Sequence, residues 1–393
     1  MSSPLVSYVA ELINYLTNNA LSLKAIDIHI SVLAILLSLI LKLYNEKPLA
    51  PNMLVDKIFI YPIKSLPAIE VDSAKLDAKG FELDRRFVLF SPAVEGAKGE
   101  LGKDKIHLVS NSPMNTQISI KFTGDASPNS SDASALLPSS TIPTTLSLTS
   151  LGGQKYSVPI QPSTAGLSRV TIDMHSSPVD GFDLGEEASS FFTEACGQDR
   201  VVRLVYLGDG KREILGTMGA GSTGGIAFND CASFLLATTS SLSALSSALP
   251  QGSAPLSIAP LRPNILLRPE SSSSTLTPWA EDFWAALKIG EGVTMRLTSN
   301  CVRCVSLNID YGTGKMKEKG EVLKKGEKRM KLMILSTLRR TLAKDRRVDE
   351  GSPYSPVFGR YGFSNDAGQT IRINDLVVVT QKNKERTKFD WPL

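Results

Sequence analysis

The chain has 393 residues, is 42% apolar, and carries 43 Lys and Arg against 39 Asp and Glu, a net charge of +4. That gives room for about two domains with folded cores and too little charge to point to a nucleic-acid partner. Four cysteines without framework spacing exclude a disulfide scaffold and imply a reducing compartment.

The first 50 residues stand apart. Residues 30–41 read Ile-Ser-Val-Leu-Ala-Ile-Leu-Leu-Ser-Leu-Ile-Leu, with Lys24 and Asp27 before them and Lys42 and Lys47 after. From 25 to 44 the stretch reaches about 20 residues, enough to cross a bilayer, so segment 1–50 is expected to hold a transmembrane anchor at about 25–44. The strictly apolar run is 12 residues, which leaves a buried core helix as the alternative. No secretory cleavage pattern follows, and the flanking charges are too balanced to set an orientation.

After Pro48 and Pro51 the composition turns globular. Alternation predicts a strand over 54–62, ended by Pro62, and further strands are expected over 69–76 and, after the turn around Gly80, over 86–90. A strand-like run over 117–122 leads into a Ser-, Pro- and Thr-rich stretch, 124–150. That stretch is expected to be a mobile surface insertion with little to bury. A helix is predicted from 183 to 192, with Asp183 as its cap and Gly197 near its end. A strand over 201–206, a Gly-rich loop over 208–225 and a helix over 240–248 follow. The loop lacks a nucleotide-binding fingerprint. Residues 262–267 form a strand opened by proline, 278–282 a turn, and 293–297 another strand. Residues 315–347 hold 13 Lys and Arg against 4 Asp and Glu, with a helical apolar pattern at Met330, Met333, Ile334, Leu338 and Leu342. A solvated helix with one buried face explains that pattern, and contact with an acidic partner or anionic lipid is the alternative. The last strand lies at 375–380.

The chemistry concentrates at Cys301-Val302-Arg303-Cys304. Thiolates are soft ligands, but a structural zinc site needs two further ligands of matching type. Cys196 and Cys231 stand alone, and His29, His107 and His175 are scattered. A site with one protein thiolate, its remaining ligands supplied by a cofactor, is what is left.

Five short motifs then fall in a telling order: Tyr61-Pro62-Ile63-Lys64-Ser65, Asp84-Arg85-Arg86-Phe87, Arg262-Pro263-Asn264, Cys301-Val302-Arg303-Cys304 and Phe358-Gly359-Arg360-Tyr361. In that order they resemble the MOSC-domain proteins, most of all the membrane-anchored mitochondrial amidoxime-reducing members. The likeness runs from about Val55 to Val379. It implies a mostly β (α+β) fold: an N-terminal membrane-anchor helix in 1–50, a MOSC N-terminal β-barrel domain over 51–165 with the insertion 124–150, and a MOSC β-barrel domain with peripheral helices over 166–393 with the basic insertion 315–347.

The resemblance also implies a molybdenum cofactor, molybdenum held by molybdopterin, with Cys304 as metal ligand and catalytic residue and with Cys301, Val302 and Arg303 beside it. Arg303 would favour the thiolate. Lys64 and Ser65 offer a charge and a hydroxyl to the cofactor; a solvated turn is their bland alternative. Of the doubled arginine, Arg86 is taken as the inward residue, the alternative being a surface salt bridge to Asp84. Arg262 and Asn264, two apart on an expected strand, would share a face, or else form a polar barrel rim. Thr239, Ser240 and Ser241 open a helix, where free N–H groups attract anions; simple capping is the alternative. Family members often carry an acidic residue near there, and often an Arg-x-x-Pro segment where this chain reads His107-Leu108-Val109-Ser110-Asn111-Ser112-Pro113.

The function so implied is reduction of N-hydroxylated, amidoxime-type compounds by a molybdenum oxidoreductase. Electrons would come from a cytochrome b5-like donor and its reductase, and the anchor would sit in the mitochondrial outer membrane with the catalytic part facing the cytosol. Two alternatives stand beside it. One is a sulfur-carrier or cofactor-sulfuration role, although the sulfurases carry a large pyridoxal-phosphate domain where this chain has an anchor and a small β domain. The other is a membrane-anchored cofactor-binding protein without catalysis.

Overall fold

Alternating apolar residues along β1 (Met53–Ile60) put Met53, Val55, Ile58 and Ile60 on one buried side. A computed structural model of the chain describes residues 49–124, 143–219, 221–251, 256–316 and 337–391, with 11, 14, 15 and 32 singly. Residues Ala50–Leu393 form one unit and Met1–Leu49 another. The expected anchor at 25–44 lies, apart from Val32, outside the described residues. Among those residues no helix is long and apolar enough to cross a membrane.

The short strands β2 (Ile69–Val71) and β3 (Ser73–Asp77) replace the single strand expected over 69–76; they pair in different sheets. The chain changes sheets at Asp72, whose carbonyl accepts from the Ile373 N–H at 2.9 Å. β4 (Gly80–Phe81) hairpins onto β3, and β5 (Phe87–Ser91), buried throughout, runs on to β6 (Lys105–Ile106).

β7 (Ser119–Thr123), β8 (Thr145–Thr149) and β9 (Lys155–Pro159) make an antiparallel meander. β8 corrects the expectation for 124–150. Residues 125–142 lie outside the description, but Leu146 and Leu148 are fully buried beside Ile120 and Val158. The hairpin β10 (Arg169–Met174) and β11 (Ser177–Asp183) leads into helix α1 (Glu186–Ala195) and strand β12 (Arg203–Tyr206). Helix α1 is capped by Gly185 at φ 87, a left-handed conformation suited to glycine. Asp183 instead accepts from the Gly185 N–H at 2.9 Å. Phe191 and Phe192 on α1 pack into the core shared by the meander and by β5 and β12.

β13 (Phe234–Thr238) and β14 (Ile265–Pro269) are parallel neighbours, so a crossover must join them, and helix α2 (Thr239–Ser247) lies in it. β15 (Trp284–Ile289), β16 (Val293–Val302), the small β17 (Ile309–Asp310) and β18 (Lys315–Met316) hairpin, helix α3 (Thr337–Asp345), β19 (Val357–Phe363), β20 (Thr370–Arg372) and β21 (Leu376–Lys382) complete the described elements. Seven strands close on themselves in the order β1, β14, β13, β19, β16, β15, β21. Register shifts between Val55 and Lys57, and along β16, bend the strands so that the ring can close. Met53, Leu236, Trp284, Met295 and Val377 fill its interior. The fold is thus mostly β around a closed barrel, with three α-helices among the described residues.

Candidate functional site

The loops at one end of these strands enclose a cavity of about 250 Å³, far more than a single water needs. The loop after β1 contributes Lys64 and Ser65, and the turn before β5 contributes Arg85. The β10–β11 turn brings His175, the loop before β13 brings Asn229, Asp230 and Cys231, and the approach to β14 brings Arg262 and Asn264. Cys301, Val302, Arg303 and Cys304, at the end of β16 and just beyond it, form the sulfur-bearing side.

The backbone at this cavity is strained. Seven non-glycine residues among the described ones have positive φ, and four of them, Ser65, Arg85, His175 and Arg262, line it. Each such conformation costs on the order of 1–2 kcal/mol. Such strain clusters at functional sites.

Tyr61 organises the cationic side. Its N–H donates to Asp84 Oδ1 at 2.8 Å and its hydroxyl to the Pro263 carbonyl at 3.0 Å. The Arg85 and Arg262 guanidinium carbons lie over its ring, 4.6 and 4.3 Å from the centroid. Arg85 is ion-paired to Asp84 and donates to Asn264 Oδ1 at 3.2 Å. Arg262 spends Nη1 on the Leu66 carbonyl at 2.8 Å. It is not on a strand, as expected, but in the left-handed conformation (φ 53) that ends the short turn Ala259–Leu261. Asn264 also precedes β14, and its amide is committed to Phe59 O, the Leu235 N–H and Arg85. It holds the loop rather than offering a free donor.

Lys64 is 4% exposed. It donates to the Phe228 carbonyl at 3.0 Å and is ion-paired to Asp230. Burial pulls the Lys64 ammonium below its usual range, and Asp230 opposes that pull. Burial pushes the Asp230 carboxyl up, but Lys64 and His175 outweigh it and hold it well below the ordinary carboxylate range. Asp230 keeps 58% of its side-chain surface and lines the cavity. His175 Nε2 lies 3.4 Å from Asp230 Oδ1.

Arg212, fully buried, clamps this wall by donating to the carbonyls of Met174, Ser177 and Asn229. On the opposite side Leu108, Val109 and Ser110 line the cavity where an Arg-x-x-Pro segment was the family expectation. His107, just before them, is buried between the Ser91 and Ser112 hydroxyls at 2.8 and 2.7 Å. Burial, with Lys105 and Arg200, lowers its pKa to about 4, so it is a neutral strut.

At the sulfur side the two cysteines differ. Cys301 is 2% exposed and accepts from Arg303 Nη1 at 3.1 Å. Cys304 is exposed and caps the following short turn, with Ser306 Oγ 3.1 Å from its sulfur. The arginine expected to favour the Cys304 thiolate therefore makes its hydrogen bond to Cys301. Arg303 Nη2 donates to the Pro260 carbonyl at 3.1 Å. Burial works against the Arg303 charge, and Cys301, Tyr361 and Cys304 together more than offset it. Two buried polar atoms on lining residues have no partner in the protein: Arg303 Nε and Asn229 Oδ1. Orphaned groups of this kind call for an explanation, and a bound ligand is one.

Four expected residues lie elsewhere. Arg86 faces away: it is ion-paired to Asp77 and donates to the Glu82 and Phe81 carbonyls, closing the turn after β4. Arg85 takes the inward place, because its left-handed backbone (φ 52) reverses the chain just before β5 begins. Thr239, Ser240 and Ser241 open α2 outside the cavity lining. There Thr238 caps the helix through the Ser241 N–H at 3.1 Å, and Ser241 Oγ accepts from the Trp279 N–H at 2.8 Å. An acidic side chain, Asp230, lines the cavity one loop before that helix. It and Arg85, His175, Cys231, Tyr361 and Phe389 were missed. The signal that existed was Asn229-Asp230-Cys231, a polar run just before a buried strand.

A mostly β fold whose loops meet at a cavity joining a thiol pair to arginines defines a class. The MOSC domain family model matches residues 223–378, and the MOSC N-terminal beta barrel domain matches 52–199. The chain belongs to the MOSC family. It is similar to mitochondrial amidoxime-reducing component 1 of Homo sapiens, 25% identical over 332 residues, which cover 82% of each chain. The Xenopus laevis protein of the same name is 25% identical over 342 residues, covering 84% of this chain and 83% of its own.

Proposed function

We propose that the protein is a molybdenum-cofactor-dependent oxidoreductase that reduces N-hydroxylated compounds of the amidoxime type, with Cys304 as the protein's ligand to the metal. What carries this reading is the junction, in one cavity, of an exposed thiol with four cationic side chains, Lys64, Arg85, Arg262 and Arg303. Among the described residues no group of three or more His, Cys, Asp or Glu could hold a metal. A metal bound at Cys304 would thus take its other ligands from the molecule that brings it.

The residues present suit a phosphorylated pterin dithiolene. Arg85 and Arg262, stacked over Tyr61, offer fixed guanidinium groups to phosphate. Asn229 Oδ1 is a buried acceptor and Arg303 Nε a buried donor for polar ring atoms. Cys304 supplies the soft ligand. When bound, such a cofactor supplies the two-electron chemistry that removes oxygen from nitrogen.

The net reaction breaks the N–O bond, takes up two electrons and two protons, and releases water and the reduced nitrogen compound. His175, beside Asp230, carries an imidazole nitrogen that can hold and pass on a proton at the cavity wall. The electrons come from outside the chain, from a cytochrome b5-like donor and its reductase. Attachment to the mitochondrial outer membrane through segment 25–44, facing the cytosol, belongs to the same proposal.

The test is molybdenum content by elemental mass spectrometry, for the parent chain and Cys304→Ala, from cells that make the cofactor. Near-stoichiometric metal in the parent and its loss in the variant are expected. Metal retained by the variant overturns Cys304 as ligand. Absence from both overturns the reading and leaves a binding protein without catalysis.

A further inference from the structure

The MOSC match ends at residue 378, yet the chain that follows β21 returns to the cavity. It is tied down along its length. The Asn383 N–H donates to the Phe283 carbonyl at 2.8 Å, and Arg386 Nε donates to Asp282 Oδ2 at 2.9 Å. Arg360 Nη1 donates to Thr387 Oγ1 at 2.7 Å, and the Phe389 N–H to Asp349 Oδ1 at 3.0 Å. Gly351 lets the segment pass so closely that a Cβ there would collide with the Phe389 carbonyl oxygen. The Thr217 N–H donates to Asp390 Oδ2 at 2.7 Å. Trp391 Nε1 donates to the carbonyl of His175, at the tip of the β10–β11 turn, at 3.0 Å.

This strap ends on two aromatic side chains, Phe389 at 6% exposure and Trp391 at 4%. Both pack in the apolar cluster that holds Cys231, Leu235, Cys301 and Tyr361. Phe389 reaches the cavity itself. A rigid aromatic side chain there, on a backbone fixed from both sides, sets the size of what fits against the cysteines. Trp391 sets the height of the His175 turn.

We infer that Phe389 is a specificity-determining residue: the strap 383–391 forms a cavity wall that admits compact N-hydroxylated substrates and turns away those with a bulky aromatic body. The word substrate rests on the oxidoreductase reading; the wall does not. Removing the ring leaves a hole beside Cys231 and Cys301, and one step in side-chain size in such a pocket shifts selectivity by about tenfold or more.

Two measurements on Phe389→Ala in the full chain test this. The first needs no cofactor. Iodoacetamide and pyrenyl maleimide are added to the as-purified protein, and modification is followed by peptide mass spectrometry. Exposed Cys304 serves as the internal standard, and Cys196, buried in a separate core, as the reporter of general loosening. The variant is expected to raise pyrenyl maleimide labelling of Cys231 or Cys301 about tenfold relative to Cys304, with Cys196 still protected. An unchanged ratio overturns the wall. If Cys196 reacts as well, Phe389→Leu, which keeps most of the packing, decides by the same ratio.

The second measurement compares acetamidoxime with 2-naphthamidoxime on metal-loaded protein. The KM for the naphthyl compound is expected to fall about tenfold relative to the acetamidoxime KM. An unchanged KM ratio in active enzyme overturns the specificity role even where labelling supports the wall. Labelling that changes in protein that never takes up molybdenum leaves the wall standing and sinks the oxidoreductase reading alone.

Discussion

The cavity rim and the first turn of α2 use the same kinds of groups, hydroxyls, backbone N–H groups and charge, and arrive at opposite states. At the start of α2 the buried groups have found partners within the fold. Thr238 takes the Ser241 N–H, Ser241 takes the Trp279 N–H, and the buried Glu281 carboxyl sits 3.4 Å from Thr238 Oγ1. At the rim, Lys64, Arg85, Arg262 and Arg303 face a cavity with one carboxylate, Asp230, among them. Two buried polar atoms there have no partner in the protein. A helix N-terminus rich in serine is thus a finished joint, whereas strained loops with surplus positive charge are an unfinished one. Residue type alone does not separate the two; saturation of the partners does.

The largest expected effect tests what holds the rim. Arg212 is fully buried, and although burial lowers its pKa to about 10 it stays charged at neutral pH. Arg212→Ala leaves the Met174, Ser177 and Asn229 carbonyls without their donor. We expect a loss on the order of 4 kcal/mol in urea unfolding. A loss below about 1 kcal/mol would show that the rim does not depend on this clamp.

The next test falls on the helix side. Burial raises the Glu281 carboxyl from 4.5 to about 7. Between those values the folded chain holds a proton that the unfolded chain has released, so stability falls as pH rises through the window. Glu281→Gln removes that slope. It should match the parent at pH 4 and exceed it by up to about 3 kcal/mol at pH 8. Equal slopes for parent and variant between pH 4 and 8 would mean that this joint is not closed by a protonated acid.

The smallest effect sharpens the comparison most. If only the rim takes an anion, inorganic phosphate at about 100 times its Kd stabilises the parent by about 2.7 kcal/mol. Ser240→Ala should keep that gain in thermal melts, and Arg262→Ala should lose most of it. Loss in the serine variant would return the helix start to the list of anion sites.

Much of the barrel was legible because burial imposes a period of two on a strand. β1 falls close to where alternation put it and β21 close to the expected last strand, while β5, outside the barrel and buried throughout, shows no such period. The described part of α3 continues the helical apolar pattern of the basic segment, with Leu342 buried. β8 was hidden by its composition, since a Thr-Leu-Ser-Leu-Thr strand in a polar stretch resembles an insertion until its two leucines meet a neighbouring core. In the site, Lys64, Ser65, Arg262 and the cysteine motif were visible as residue types. Arg85 was not, because a single left-handed residue exchanged the sides of two adjacent arginines.

By itself, the sequence determined the class of fold and the family, for these rest on local pattern and on motifs that survive as short words. Only the tertiary structure decided which groups meet. The Lys64–Asp230 pair joins residues 166 positions apart, and Trp391 reaches the His175 turn across 216. No periodicity or spacing encodes such distances. They follow from barrel closure, which fixes where each loop ends and therefore which charges are satisfied inside the fold and which are left facing the cavity.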